Sequence, residues 1–446
     1  MLLLLAACQS PTVPDRGPQV QVTPEPDSPA AAGPPEALAP DQAAAREPDA
    51  VASYLAETAV TEIQLDRAIK IALLLPLSGR HGRIGQAMLN AAQLALFDVA
   101  DERFSLIVRD TGGTPEGARA AVRSALGEGV RLILGPLFAT SAEAVAPEAR
   151  LAGVNVIAFS NDRSVAGDGV FVMGLAPRPQ IWRLVGYASR QGLTRFAVLA
   201  PKTRYGDAVV QALQEAVLRN GAELSRVVSY KPGAIDLTAE VRALADYETR
   251  RKALLEQRQI LADREDEAAK LALKRLDDLE TLGAPDFEAV VLPEGGNRLQ
   301  AIAPLLAYFD VDPAEIRYLG TALWDDPRLG TEPALNGGWF TAPPPDLWTA
   351  FRERYQKTFG AEPPRIAALA FDATALAAVL TRRAAGREPD FTVPVLTQIS
   401  GFSGVDGLFR FLPSGEVERS LAILEMRRGG FEVLEAAPTS FQRLGY

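Results

Sequence analysis

From Ile69 to Leu75 the chain reads Ile-Lys-Ile-Ala-Leu-Leu-Leu, an almost unbroken apolar run. A strand with one wet face alternates in polarity. A run like this one has to be covered on both faces, as in a parallel sheet. Pro76 stops the strand, and Ser78-Gly79 supplies a turn. From Ile84 the period changes: Ile84, Met88, Ala91 and Ala95 fall at helical spacing, with Ala87, Leu94 and Leu96 widening the stripe. Buried strand, tight loop and amphipathic helix make the first half of a βαβ unit. Ligands in such sheets sit beyond the carboxyl ends of the strands, so a cleft is expected at Ser78 and Gly79.

The alternation continues. Strands are predicted at 104–109, 131–134, 154–159 and 170–173, with helices opening at Thr114-Pro115 and near Thr140. A second series places strands at 196–199, 223–229, 287–292 and 316–319, and helices at 207–220 and 298–308. The Pro-rich break at Ala176-Pro177-Arg178-Pro179 separates the two series, which together predict an α/β fold with parallel sheets in two similar lobes. Asn336-Gly337-Gly338 and Pro343-Pro344-Pro345 mark another crossing between lobes. Helices are expected at 347–359 and 365–383, and a loop over 392–407. A closing β-ribbon is expected to set 408–411 beside 421–426, turning at Pro413-Ser414-Gly415.

The 446 residues are 48% hydrophobic, enough for a sizeable core over roughly two domains' length. A net charge of -10, from 46 basic and 56 acidic residues, argues against nucleic acid as partner. One Cys excludes intramolecular disulfides and Cys-rich zinc sites, and one His leaves no His cluster for a metal. Leu5-Ala6-Ala7-Cys8 resembles a bacterial lipobox. No positive n-region precedes it and the apolar run is short for export, so the true start is expected upstream. Lipidation at Cys8 would anchor the chain to a membrane without spanning it. Gln9 after the Cys points to the outer membrane, by resemblance to the sorting of enterobacterial lipoproteins. Residues 9–66 read as a tether. Ten prolines lie between Pro11 and Pro48 with almost no large apolar groups, and a short helix is expected within 50–66.

One segment interrupts the second lobe. Residues 234–282 contain no Pro and no Gly, and 246–280 carries 18 charged residues of 35. Glu248/Lys252 and Asp266/Lys270 are i,i+4 acid-before-base pairs, and Leu254, Leu261 and Ala268 mark a seven-residue stripe. A long helix or helical hairpin is expected, either a solvated insertion or a docking arm.

Several stretches carry a resemblance. Ile71-Ala-Leu-Leu-Leu-Pro-Leu-Ser-Gly79, Leu134-Gly-Pro136, Val156-Ile-Ala-Phe-Ser160 and Tyr205-Gly206 resemble the type I periplasmic binding fold of the branched-chain amino-acid receptors. The stretch from Gly85 to Asp98, Asp110-Thr-Gly-Gly-Thr-Pro-Glu-Gly117 and Leu319-Gly-Thr-Ala-Leu-Trp-Asp-Asp326 resemble, more narrowly, the bacterial penicillin-binding protein activator lipoproteins. The resemblance covers about 66–440. It implies two lobes with a cleft between them and three crossings, with candidate hinges near 175, 342 and 405. The divisions are then 1–8 signal remnant, 9–66 tether, 67–175 with 343–404 as lobe 1, and 176–342 with 405–440 as lobe 2, the insertion at 234–282 included. The activator family implies an outer-membrane lipoprotein that stimulates a bifunctional, class A penicillin-binding protein, a peptidoglycan synthase, by protein contact. Its enterobacterial members carry an N-terminal helical-repeat domain, where residues 9–66 here are expected to form only the Pro-rich tether.

For the cleft, the resemblance works residue by residue. In the amino-acid receptors the ligand carboxylate is held by hydroxyls and amides after the third and fourth strands. The matching positions here are Thr140 and Ser141, then Ser160 and the turn of Asn161 to Ser164. The receptors hold the α-ammonium with an acid after a later strand. The matching stretch, Gly320-Thr321-Ala322-Leu323, has none, and Asp325 and Asp326 are displaced. A buried ammonium left unpaired is costly, so amino-acid binding in that mode is not expected. Trp324 and Tyr205 are expected to wall a flatter ligand, with Ser78, Gly79, Glu294 and Asp325 completing the candidate lining. Ser, Thr and Asn in such places also serve turns and caps.

Gly79, Gly82 and Gly85 with Asp110 look like a dinucleotide site, but Gly-x-x-Gly-x-x-Gly is the wrong spacing. His81 has no evident partner for catalysis. No catalytic residue, metal or cofactor is assigned. The expectation is a non-enzymatic envelope lipoprotein that regulates a synthase. The alternatives are a solute receptor of an ABC importer and a sensor of a cell-wall fragment in the cleft.

Overall fold

The computed structural model describes residues 68–264 and 266–441; Cys8, the tether and the helix expected within 50–66 lie outside them. Strands β1 (Ile69–Leu75), β2 (Phe104–Asp110), β3 (Leu132–Leu134), β4 (Asn155–Ala158) and β5 (Val170–Val172) form a parallel sheet in the order β2-β1-β3-β4-β5. Helices α1 (Gly82–Val99), α2 (Pro115–Gly127) and α3 (Ala139–Leu151) connect them. Ile71, Leu73 and Leu75 pack on one face, with Met88 and Ala92 of α1, while Ala72 and Leu74 pack on the other, with Val122 and Val145. The continuous apolar run of β1 is therefore buried on both faces, each full-length aliphatic side chain contributing about 1.5–3 kcal/mol.

The second lobe repeats the order. It is built from α4 (Pro177–Arg190), β6 (Arg195–Pro201), α5 (Arg204–Arg219), β7 (Glu223–Tyr230), α6 (Thr238–Leu244), α7 (Tyr247–Ala262), α8 (Glu267–Leu276), β8 (Ala289–Val291), α9 (Gly296–Tyr308), β9 (Arg317–Gly320) and β10 (Trp339–Ala342). Its sheet runs β7-β6-β8-β9-β10 in parallel, then two antiparallel strands, β14 (Ala422–Arg427) and β15 (Gly430–Glu435). Helix α4 and strand β10 lie in stretches read from the sequence only as breaks: Pro177 and Pro179 fall in the first turn of α4, and the glycines and prolines around β10 stand immediately outside it. Pro177 is the first helical residue of α4, where no amide partner is needed.

Both lobes use one device to bring helix and strand together. A Cβ at Gly85 would lie 2.1 Å from the Pro76 carbonyl oxygen, and one at Gly206 would lie 1.9 Å from that of Pro201. Only glycine permits that approach. The glycine at position 85 is thus explained by packing rather than by a nucleotide. Ile84, expected in the buried stripe of α1, is exposed at its first turn.

After β10 the chain returns to the first lobe as α10 (Pro345–Phe359), α11 (Ala367–Arg383), α12 (Val393–Leu396), β11 (Phe402–Gly404), β12 (Gly407–Phe411) and β13 (Val417–Arg419). The stretch read as a loop over 392–407 contains α12 and β11. The closing ribbon is also corrected. β12 pairs with β11 and β13, and Phe409, Phe411 and Val417 join the first lobe's core. Residues 421–426 instead fall in β14, which pairs with β10. The last crossing therefore lies at Arg419–Ala422, not near 405. Local alternation marks strands but cannot name their partners, which here are set by burial. The crossings lie side by side: Arg419 Nη2 donates to Met173 O at 2.9 Å, and Ala342 pairs with Ala422.

Charges are buried at this hinge side. Arg365 reaches Asp325 of the second lobe at 2.9 Å and Asp406 at 3.1 Å, with its guanidinium 4.3 Å from the Trp348 ring centroid. Its N–H groups are not aligned as hydrogen bonds to either acid, so the pairing is Coulombic. Asp372 is buried, and its carboxyl accepts from Val405 N at 2.6 Å and Asp406 N at 3.3 Å.

The insertion is a hairpin of α7 and α8. Leu254 and Leu261 are buried as expected, but Ala269 rather than Ala268 faces inward, because the chain breaks its helix around Asp263–Asp266 and restarts the register. The expected ion pairs are replaced. Glu248 pairs with Arg242, and Asp266 caps α8 by accepting from Ala269 N at 2.9 Å. At the hairpin base, Leu282 N donates to Arg250 O at 3.1 Å.

Two predictions follow from this packing. Leu254, Leu261 and Ala269 stand outside the lobe cores. Replacing 252–278 with a short Gly/Ser linker should therefore leave the melting temperature within about 3 °C of the parent, since surface changes away from a core cost little. Loss of cooperative melting would show the hairpin to be integral to the lobe. The second concerns pH. Burial, with the Asp406 charge adding, pushes the Asp372 carboxyl up to about 7 from an ordinary 3.8, against the pull of Arg419 and the two amides. The folded state holds this proton more tightly, so its stabilisation is complete below pH 3.8 and is lost as pH rises through 7. Urea midpoints should fall between about pH 5 and 8, and Asp372→Asn should flatten that slope. An unchanged slope in the variant would assign the dependence elsewhere.

Candidate functional site

In both sheets the connections reverse between the first and third strands in chain order, β1/β3 in one lobe and β6/β8 in the other. The crevice outside the strand ends at such a point is where α/β sheets bind ligands. In the second lobe that point opens into a 380 Å³ pocket lined by Pro201, the last residue of β6, with Thr203 and Tyr205 after it, by Pro293, Glu294 and Arg298 after β8, by Tyr230, the last residue of β7, with Pro232 after it, and by Leu323 after β9.

The polar groups of this pocket are partly committed. Tyr205 Oη donates to Thr321 Oγ1 at 2.9 Å, and burial pushes its phenol up to about 12, so it stays a neutral donor. Tyr230 Oη donates to Glu294 Oε1, and burial together with that carboxylate holds its pKa far above the usual phenol. The Arg298 guanidinium lies 5.4 Å from the centroid of the Tyr230 ring, and its Nη2 is buried without a hydrogen-bond partner. Prolines and Leu323 supply the apolar walls.

The first lobe faces this pocket with the turns expected from the sequence. Ser78 and Gly79 are exposed at the end of β1. Asp110 is held below the usual carboxylate range: burial opposes this, but bonds from Ser78, Gly112 and Leu77 outweigh it. Asp110 thus ties the β1–α1 loop and is not free for a ribose. Thr140 is exposed, whereas Ser141 is fully buried with its hydroxyl unpartnered. Ser160 is buried and its Oγ accepts from Asp162 N at 3.0 Å; Asn161 is exposed, and Ser164 N donates to Asp162 Oδ1 at 2.9 Å.

The lobes meet here. Arg204, the first residue of α5, places Nη1 3.1 Å from Asp162 Oδ2 and 3.5 Å from Glu143. The Asp162 carboxyl is held below its usual range, with burial opposing and Ser164 and Arg204 prevailing. The turn matched to a ligand's carboxylate therefore carries an acid, already met by a cation from the other lobe.

Two expected lining residues lie elsewhere. Trp324 is fully buried in the second lobe's core, with its Nε1 donating to Leu292 O at 3.2 Å and a Cβ at Gly320 placed only 2.2 Å from its ring. Asp325 pairs with Arg365 at the hinge side and does not face the pocket. Spacing put both on the loop after β9, but the short helical turn at Ala322–Trp324 rolls the indole inward. Arg204, Tyr230 and Arg298 were missed. Arg204 and Arg298 stand one and four residues from Tyr205 and Glu294, which were singled out, and Tyr230 directly follows the predicted strand 223–229, where any long polar side chain is a candidate.

Comparison with known proteins agrees with this geometry. A family model described as periplasmic binding protein matches residues 68–430. An ABC transporter substrate-binding protein from Sphaerobacter thermophilus superposes with a TM-score of 0.64 at 18% identity, covering 85% of this chain and 100% of that one. A solute binding protein of an ABC transporter from Rhodopseudomonas palustris BisB5, in complex with 3,4-dihydroxybenzoic acid, gives 0.60 at 16%, covering 85% and 99%. The branched-chain amino acid transporter substrate binding protein of Streptococcus pneumoniae, in complex with isoleucine, gives 0.55 at 18%, covering 83% and 100%. At these identities they show the fold alone. An uncharacterized protein of Rickettsia prowazekii, strain Madrid E, is 24% identical over 180 residues, 40% of this chain and 48% of that protein, so the match spans about half that relative's length. The chain belongs to the periplasmic binding protein family, and its two lobes share one strand order.

Proposed function

We propose that this chain is a non-enzymatic regulator in the bacterial envelope that raises the activity of a class A penicillin-binding protein, a bifunctional peptidoglycan synthase, through protein contact. Lipidation of Cys8 anchors it to the outer membrane, and the family implies a periplasmic location. The observation that carries this reading is the Arg204 bridge to Asp162 and Glu143. An importer's receptor closes on its solute; here the protein's own charges bridge the lobes, which supports a shape that needs no solute to present a docking surface. The resemblance of 85–98, 110–117 and 319–326 to activator lipoproteins supports the same reading. The α7–α8 hairpin is a candidate contact. A second reading, a solute receptor of an ABC importer, is favoured by the 380 Å³ pocket and by relatives that hold isoleucine or 3,4-dihydroxybenzoic acid.

The test is glycan polymerisation and cross-linking by class A synthases of the same organism, with and without the full chain. A several-fold rise in either rate supports activation. Loss of the rise on excising 252–278 places the contact on the hairpin, and its survival places it on the lobes. No change with any of these synthases rejects the reading in favour of the receptor.

Arg204 is exposed, and such pairs are weak and screened by salt. Small-angle scattering should therefore show the radius of gyration of the parent growing between about 0.05 and about 0.5 M salt. Arg204→Ala should be expanded at low salt and insensitive to it. A variant as compact as the parent at low salt would assign closure to the hinge contacts instead.

A further inference from the structure

The cleft places its charges in an unexpected order. The first-lobe turn matched to a ligand's carboxylate presents Asp162, and an anion there would meet both that acid and Glu143. The uncommitted cation is on the second lobe. Arg298 lines the pocket, its Nη2 has no partner, and among the described residues it joins no ion pair. Glu294 of the same loop also lines the pocket; its carboxylate accepts from the Tyr230 hydroxyl and makes no ion pair with Arg298. Gly295 caps α9 without a side-chain bond, so the first-turn amides add their positive end to the same wall. A half-buried guanidinium with an unpartnered N–H gains from an anion that meets it directly, and its planar fork suits a carboxylate.

We infer that the second-lobe pocket binds an organic monoanion, its carboxylate on Arg298 and its apolar part against Pro201, Pro232, Pro293 and Leu323. The volume, 380 Å³, lies at the small end of ligand sites and admits one ring or a short chain. Tyr205 and Thr203 border the apolar part. This binding deepens the receptor reading of the pocket and does not depend on contact with a synthase. It reverses the polarity of the amino-acid receptors, whose carboxylate subsite is on the first lobe.

The test uses the full chain with phenylacetate, cyclohexanecarboxylate and butanoate, each beside its neutral amide, followed by calorimetry and thermal melting. At least one acid should bind and raise the melting temperature by about 1–2 °C at ten times its Kd, with its amide inert. Arg298→Gln should weaken that acid about tenfold or more, the usual effect of removing a charged hydrogen-bond partner. Arg298→Lys should keep part of the affinity, and Ser141→Ala all of it. Leu323→Asp, a change at a partly exposed wall, should abolish binding while the unliganded melt stays cooperative. Equal binding of acid and amide, undiminished binding to Arg298→Gln, or binding of none of the three acids would each overturn the inference. The synthase assay uses no added anion, so its outcome separates failure of the regulator reading from failure of this one.

Discussion

Strands covered on both faces leave a chain few places to present polar chemistry. In each sheet of this protein the central strands are sealed by helices above and below, so polar side chains collect in the loops at the strand ends. Gly85 and Gly206 sharpen this by letting a helix start directly against the last strand carbonyl. The carboxyl edges of both lobes are thereby held as rims facing one cleft. The pocket, the Arg204 bridge and the Asp110 knot all belong to those rims.

The contacts between the lobes are of two physical kinds. At the cleft mouth, Arg204 meets its acids in solvent, where an ion pair contributes little and salt weakens it. At the hinge side, Arg365, Asp325, Asp406, Asp372 and Arg419 are largely withdrawn from water, where removing one partner leaves an uncompensated charge. The mouth therefore suits a contact that opens and closes, and the hinge side suits one that keeps the crossings together. Desolvation pulls the Asp372 carboxyl toward its neutral form and disfavours the Arg419 cation, against the attraction between them.

Much of the fold was readable along the chain. β1, β2, the cap at Thr114, α1 and the paired series of strands follow from apolar runs, helical spacing and turn residues. What was misread has two causes. The closing ribbon depends on which distant segment a residue meets, whereas the buried face of α8 and the position of Trp324 turn on a helix break and a short helical turn that spacing does not show. Leu408 to Phe411 alternates equally well for either lobe, and only its packing against Phe171 and the first lobe's core decides. In the site, Tyr205 and Glu294 were found because they follow strands, but their partners Thr321 and Tyr230 are 116 and 64 residues away.

Apolar runs and their spacing, which act locally through burial and backbone geometry, were sufficient to determine two α/β lobes and the loops where a ligand would sit. Charge placement was decided by the tertiary structure. Asp162, Arg204 and Glu143 are unremarkable polar residues until the lobes bring them within 3.5 Å, and Arg298 is one more surface arginine until the strand ends leave it in a pocket with its Nη2 unpartnered. Electrostatic energy depends on distance and solvent access, and neither is a property of the residue's place along the chain.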